Sequence, residues 1–503
     1  VKAVGDREAK LSATVRDQAG LAVYPRSVVE AAGTTFLLAQ DTGDGRKLLV
    51  VRGDHHAFAG EHGVRDDTLL CPLSGANAAA LREHLPWLRP APIGLKMSAG
   101  FGDRLGVATP GHIRAIRRFV DGESHLGPIF AQQSVRENSR TKRTPQGVVD
   151  DATWGVFQEG WLGAWGADAD HLKTRDDADS FAKAGYSLFT VDPGDHVQNG
   201  VPDGALEARL RALPWHELED TAGDLERRYL PDGLDLGDSR LQFAKAQLWR
   251  AAVKYGRAVA HATGVYRHIV SRMGSRSFEL ELSVDETSSP TTVEEHAYIA
   301  AELRRLGVRW VSLAPRFVGR FEKGVDYIGD LEAFAAQLAR HAAVARGALG
   351  PYKLSVHSGS DKFSIYPVLA RLMVTGSGGR AEALVHVKTA GTSYLEALRA
   401  VARADEMLFR EILAFALERY ASDRATYHVS AEPARVPSAG RMHGDELPSL
   451  LNQFDARQVL HVTFGSVVER FGERLRETLA RHEELYAAGL EEHFERHLAP
   501  FLG

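Results

Sequence analysis

Short apolar runs punctuate the chain from about residue 93 to residue 391, in the order IGLKMS, GPIFAQQ, GADADHLK, SLFTVDPG, FELELSVDET, WVSLAPR, KLSVHSGSDK and ALVHVKTAG. Most are followed by Gly, Ser, Asp or His and then by a stretch of helical character. Apolar runs that do not alternate with polar residues are what strands buried on both faces of a parallel sheet look like. Helical segments lie between them. Examples are Thr144 to Glu159, which opens on Thr-Pro, and Glu294 to Leu306, with apolar residues at i, i+3 and i+4. Eight repeats of strand then helix predict an α/β fold, a (β/α)8 TIM barrel. The rival, a doubly wound open sheet, calls for a G-x-G-x-x-G turn after its first strand, and SAGFGDRLG does not space its glycines that way.

The stretch Arg89-Pro90-Ala91-Pro92 reads as a linker, because proline restricts both itself and the residue before it. Residues 1–90, with the strand-like TTFLLAQ and RKLLVVRG and the helical ANAAALREHLPWL, predict a small α/β cap domain that carries no chemistry. Residues 91–400 hold the catalytic barrel. Within it, about 200–272 is too long for one strand-to-helix connection and predicts a helical insertion, part of it a lid or packing arm. Residues 401–503 predict a mainly helical extension, packed on the barrel's outside or in a homo-oligomer interface.

Composition narrows the class. The chain has 503 residues, of which 61 are Lys or Arg and 66 Asp or Glu, for a net charge of -5. Such balance argues against nucleic-acid or anionic-membrane partners, which need a clustered positive field. A single cysteine, Cys71, excludes intrachain disulfides and cysteine-built zinc sites and fits a reducing cytoplasm. The opening VKAVGDREAK lacks the apolar core of a signal peptide, and no apolar run approaches the ~20 residues of a membrane span. A cytoplasmic enzyme acting on a small molecule is the expectation.

Barrel enzymes place their chemistry at the C-terminal ends of the strands. His171, His357 and His386 fall at or near the ends of the third, seventh and eighth strands, with carboxylates or lysines beside them. A lone strand-end histidine is usually a hydrogen-bonded core residue. Three converging on one mouth suit a single divalent ion such as Zn, Mn, Co or Ni. Asp170 and Glu286 are the candidates for proton transfer; Asp285 or Glu286 could equally be a fourth ligand, and helix capping or ion pairing is the bland reading of each acid. In a regular strand, Asp168 and Asp170 share a face and His171 takes the other. Gln132, Arg136, Ser358, Ser360, Lys362 and Lys388 are candidates for holding substrate, the last two strand loops suiting a phosphate or a carboxylate. Lys388 could alternatively form a Schiff base.

Several blocks carry a resemblance. GDRLGVATPGHIRA, PIFAQQSVREN, TPQGVVDDATWGVFQEG, GADADHLK, FTVDPGDHV, SVDET, KLSVHSGSDKFSIYP, HVKTAGTSYLEALR and LHVTFGSV together resemble the tagaturonate/fructuronate epimerase family, from about Ile93 to His461. A segment at GSGGRAE, 376–382, departs from the family pattern. The resemblance implies a metal-dependent isomerase of bacterial hexuronate catabolism that interconverts D-tagaturonate and D-fructuronate, some relatives acting as D-tagatose/D-fructose 4-epimerases. It implies a keto sugar or keto sugar acid as ligand, His171, His357 and His386 as metal ligands, and Asp170 and Glu286 as the acid/base pair. Because the inverted carbon lies two bonds from the ketone, retro-aldol cleavage or stepwise enediol migration is expected, and NAD chemistry is disfavoured by the missing fingerprint. The alternative is a metal-dependent aldolase or isomerase acting on a phosphorylated sugar.

Overall fold

A computed structural model describes residues 20–63, 67–117, 126–236, 240–375 and 382–502. Eight parallel strands close into a barrel: β1 (Met97–Phe101), β2 (Leu126–Ser134), β3 (Gly166–Leu172), β4 (Leu188–Val191), β5 (Glu279–Ser283), β6 (Ser312–Ala314), β7 (Lys353–Val356) and β8 (Val385–Thr389). Each pairs in parallel with its sequence neighbours, and β8 closes on β1. All eight apolar runs become strands. The first begins later than its run suggests, at Met97, because the amides of Ile93 and Gly94 both donate to the Glu279 carboxylate.

Helices between the strands start where the sequence supplies caps. The helix Pro145–Gln158 is capped by the Thr144 hydroxyl, which accepts from Gly147 N at 3.1 Å. The helix Val293–Arg305 opens on a reciprocal cap between Thr292 and Glu295. Such caps contribute about 1 kcal/mol each.

The chain before the barrel folds into a sheet of short antiparallel strands and a helix, Gly75–His84. It is tied to the barrel by Arg82, which pairs with Asp150 at 2.7 Å, and by Lys47, which reaches Gln158 at 2.7 Å and Glu483 at 2.8 Å. Between β4 and β5 lie two short helices and the long helix Lys245–Met273. That long helix packs against Arg175–Ala184 and Val293–Arg305 and so sits in the barrel's outer ring. After β8 the chain is mainly helical, and its last helix, Glu483–Leu502, lies along Thr109–Arg117. The departing segment falls largely at 376–381, outside the described residues; Val374–Thr375 and Glu382–Ala383 on either side of it pair antiparallel.

The barrel's interior departs from the branched aliphatic filling usual in this fold. Ser98, Asp168, Thr190, Glu281, Ser312, Lys353, Ser355, His386 and Lys388 are all buried, and most are joined by side-chain hydrogen bonds or ion pairs across the barrel. Buried charge persists when it is paired, and here the pairing leads upward to the barrel's mouth.

Candidate active site

The site depends on a break in β3. Its register against β4 shifts, so that Asp168 faces Leu188 and Ala169 faces Phe189, but Leu172 faces Val191. Two residues, Asp170 and His171, therefore stand where a regular strand would place one, and His171 takes a left-handed φ of 53°. A bulge of this kind re-aims a side chain. It brings Asp170 and His171 to the same cavity, overriding the alternation expected of a regular strand. Strain recurs across the mouth, where Ser358 and Asp361 in the loop after β7 have φ of 50° and 60°. Strained backbone of this sort concentrates at functional sites.

Ligand atoms of Asp170, His171 and His357 all lie within 4.8 Å of one another. The two imidazole rings meet edge to face with centroids 5.0 Å apart. His171 Nδ1 is held by Asp192 at 3.1 Å, and Nε2 lies 3.9 Å from Asp170. His357 bridges Glu281, 2.7 Å from Nε2, and Asp285, 3.2 Å from Nδ1. Below them the Lys388 ammonium sits among Asp168 at 2.7 Å, Asp170 at 2.7 Å and Glu281 at 2.9 Å.

Electrostatics follow from that crowding. Burial alone would lower both imidazoles, but Asp170, Asp192 and Asp285 raise His171 to about 10, while Asp285 and Glu281 raise His357 to about 9. Burial would raise Asp170, but Lys388, His171 and His357 hold it well below the usual carboxylate range. Burial lifts Asp168 to about 6 despite Lys388. Lys388 is itself held far above its ordinary value by the three carboxylates, against burial. A protonated amine has no lone pair, which disfavours the Schiff-base role.

One consequence concerns stability. Both imidazoles bind protons more tightly in the folded chain than in the unfolded one, where His titrates near 6.5. Their contribution in ion-free protein is therefore complete below about 6.5 and is lost as pH rises through about 9 and 10. Thermal unfolding of chelator-treated protein should show the midpoint falling over this alkaline range, and His171→Asn should flatten the fall. An equal fall in the variant would contradict the assignment.

The mouth holds an inner cavity of about 40 Å³, lined among others by Gln132, Arg136, Asp170, His171, His357, Ser358, Ser360 and Lys388. A wider one of about 340 Å³ adjoins it, lined by Arg136, Asp285, Glu286, His357 and the loop from Pro315 to Lys323. The structure thus gathers most of the residues expected from sequence. Asp285 turns in to His357, whereas Glu286 stays at the rim, half-exposed and paired with Arg136 at 3.1 Å. Gln132 Nε2 reaches Asp170 at 3.4 Å.

Two expected residues are placed otherwise. His386 faces into the barrel two positions before Lys388 and is not grouped with His171 and His357; its Nδ1 contacts Ser98 Oγ at 3.0 Å, and Nε2 has no partner. Burial pushes its ring down to about 3, so it is neutral. Lys362 does not line the mouth. Its fully buried ammonium donates to the carbonyls of Glu322 at 2.9 Å and Ser360 at 3.0 Å, and so it braces loops instead of reaching a ligand. The described residues of the insertion, about 200–272, line neither cavity; the loop after β6 and Tyr427 and His428 stand there.

Sequence reasoning placed Asp192 at the end of the fourth strand but missed Glu281, Lys323, Arg104, Tyr427 and His461. Glu281 had a signal, a charged residue at alternate positions in the otherwise apolar FELELS. A second group, Asp361, His493 and His497, also lies at ligand distance. Its atoms are committed elsewhere: His497 Nε2 accepts from Asp361 N at 3.0 Å, Arg457 pairs with Asp361 at 2.7 Å, and His493 bridges Asp361 and Glu396 at 2.6 and 3.2 Å. This group latches the last helix to the loop after β7.

A closed barrel with a charged, strained mouth of this kind defines an enzyme, and the comparisons with known proteins specify the class as an epimerase. A model of the tagaturonate epimerase family matches residues 24–501, and the chain belongs to that family. It is 40% identical over 492 residues to the tagaturonate/fructuronate epimerase of Thermotoga maritima, covering 95% of this chain and 96% of that one. The crystal structure of the fructuronate-tagaturonate epimerase UxaE of Cohnella laeviribosi is similar with a TM-score of 0.88 and 35% identity, over 98% of this chain and 99% of the other. A glycerol complex of the same Cohnella enzyme matches with a TM-score of 0.87 and 35% identity, over 99% of each chain.

Proposed function

We propose that the chain interconverts D-tagaturonate and D-fructuronate, with D-tagatose and D-fructose as lesser substrates, in a reducing cytoplasm and with one divalent ion. The observation that carries the reading is the meeting of Asp170, His171 and His357 at the mouth of a barrel of this family. The residues fit an ion. Two imidazoles and a carboxylate converge among further acids, so a divalent ion would take the place of the protons that the rings hold in the ion-free chain, and Asp192 supports His171 from behind. His386 offers a neutral ring with an unpartnered Nε2 as a further ligand. Zn, Mn, Co and Ni all suit such donors. When bound, the ion supplies Lewis-acid polarisation of the ketone.

The chain's own groups do the rest. Asp170, kept ionised and oriented by Lys388, accepts the proton of the hydroxyl on the carbon to be inverted. The bond from that carbon to its neighbour breaks, leaving its electron pair on the ketone-bearing piece and an aldehyde on the other. The aldehyde turns over, the carbon–carbon bond re-forms on its opposite face, and Asp170 returns the proton. Glu286, across the wider cavity and tethered by Arg136, is the second proton-transfer group. Tyr427 and the loop after β6 keep water from the open fragments.

Incubation with D-tagaturonate, followed by carbon NMR in heavy water, tests this. Fructuronate should accumulate to equilibrium with no solvent deuterium in the carbon skeleton and with a three-carbon fragment trappable during turnover. Deuterium entering at the rate of turnover would replace the cleavage route with enediol migration. Absence of fructuronate would overturn the function.

A further inference from the structure

Part of the inner cavity's lining is basic, with Lys323 and Arg104 beside a neutral His461. Lys323, from the loop after β6, has no carboxylate at ion-pair distance among the described residues, and its ammonium donates to Ser358 Oγ at 2.7 Å. Arg104 is 4% exposed; its Nε and Nη2 donate to Glu137 at 3.1 and 2.7 Å, while Nη1 is buried with no partner among the described residues. His461 is 2% exposed, and neither of its ring nitrogens has a hydrogen-bond partner among the described residues. Leaving such groups unsatisfied is unfavourable, and an anionic ligand would relieve it.

Beside them starts the helix Thr392–Ala404, with Gly391 at its cap position and no side-chain cap. Gly391 is needed there, since a Cβ would fall within the His461 ring. Unmet donors on three side chains at a helix N-terminus form a receptor for a small anion.

We infer that Lys323, Arg104 and His461 form the subsite for the substrate's carboxylate, and that Lys323 sets the preference for a sugar acid over a neutral ketose. The inference rests on the function proposed above and deepens it. It places the acid end of the sugar against the basic wall and the ketone end toward Asp170, His171 and His357. In the cleavage route the piece that turns over is the one bearing the carboxylate, so this subsite holds it while its aldehyde changes face. Ser358 and Ser360 line the same wall.

Lys323→Met, with Lys323→Arg as the conservative control, tests the inference in the full chain. KM for tagaturonate should rise about 10–100-fold in Lys323→Met, the loss of one hydrogen bond to a charged group. The inhibition constant of D-tagatose should move by less than about threefold, and Lys323→Arg should recover most of the tagaturonate affinity. Calorimetric titration with D-glycerate and glycerol reads the subsite without turnover: glycerate should bind tighter than glycerol in the parent and lose that advantage in Lys323→Met. Equal losses for tagaturonate and tagatose, an unchanged KM, or no glycerate preference in the parent would overturn the subsite. A parent that prefers glycerate through Lys323 yet leaves tagaturonate untouched would keep the subsite and sink the proposed reaction.

Discussion

His357→Ala is expected to lower kcat/KM for tagaturonate at least about a thousandfold, a loss of roughly 4 kcal/mol of transition-state stabilisation. The ring is buried at the centre of the cluster, touching Glu281 and Asp285 and meeting His171 edge to face. Removing it takes away a proposed ion ligand and leaves two acids uncompensated. Bound divalent ion per chain, measured alongside turnover, should fall with it, while circular dichroism should show the barrel intact. A folded variant within about tenfold of the parent would remove His357 from the reaction.

The second large effect is structural as well as chemical. Lys388→Met leaves Asp168, Asp170 and Glu281 facing one another inside the barrel without the ammonium that now pairs with all three. Breaking a buried ion pair by removing one partner costs about 3–5 kcal/mol. The carboxylates' values would rise above those in the unfolded chain, so the penalty grows with pH and shrinks on acidification as the acids take up protons. Chemical unfolding should therefore show a larger deficit near pH 8 than near pH 5, and tagaturonate turnover should be lost. Equal stability of parent and variant at both values would mean the three acids are neutralised by something else.

The barrel was legible because its eight strands are short unalternating apolar runs, each followed by a break and a helix, and little else produces that rhythm. Boundaries were less so: β1 starts at Met97, since Glu279, distant in sequence, claims the amides of Ile93 and Gly94. Strand ends located Asp170, His171 and His357, but regular alternation would have separated the first two; the β3 bulge depends on pairing with β4, which no local pattern reveals. The same rule did not give the depth of His386, which lies inward of Lys388 on one strand, or the direction of Lys362, whose loop turns it into backbone carbonyls.

The basic wall escaped because it is assembled from the loop after β1, the loop after β6 and the helix Phe454–Val462, none of them a strand end. Arg104 and His461 stood within the blocks GDRLGVATPGHIRA and LHVTFGSV, which carried the family resemblance. Lys323 lay in no such block and had no signal of its own.

The most direct trial is to strip the protein with a chelator, supply D-tagaturonate, and restore Mn or Zn stepwise while fructuronate is followed. Turnover should vanish with the ion and return at about one equivalent per chain in the parent, but not in His171→Ala. Undiminished conversion by fully stripped protein would contradict a cation held by His171 and His357 beside Asp170.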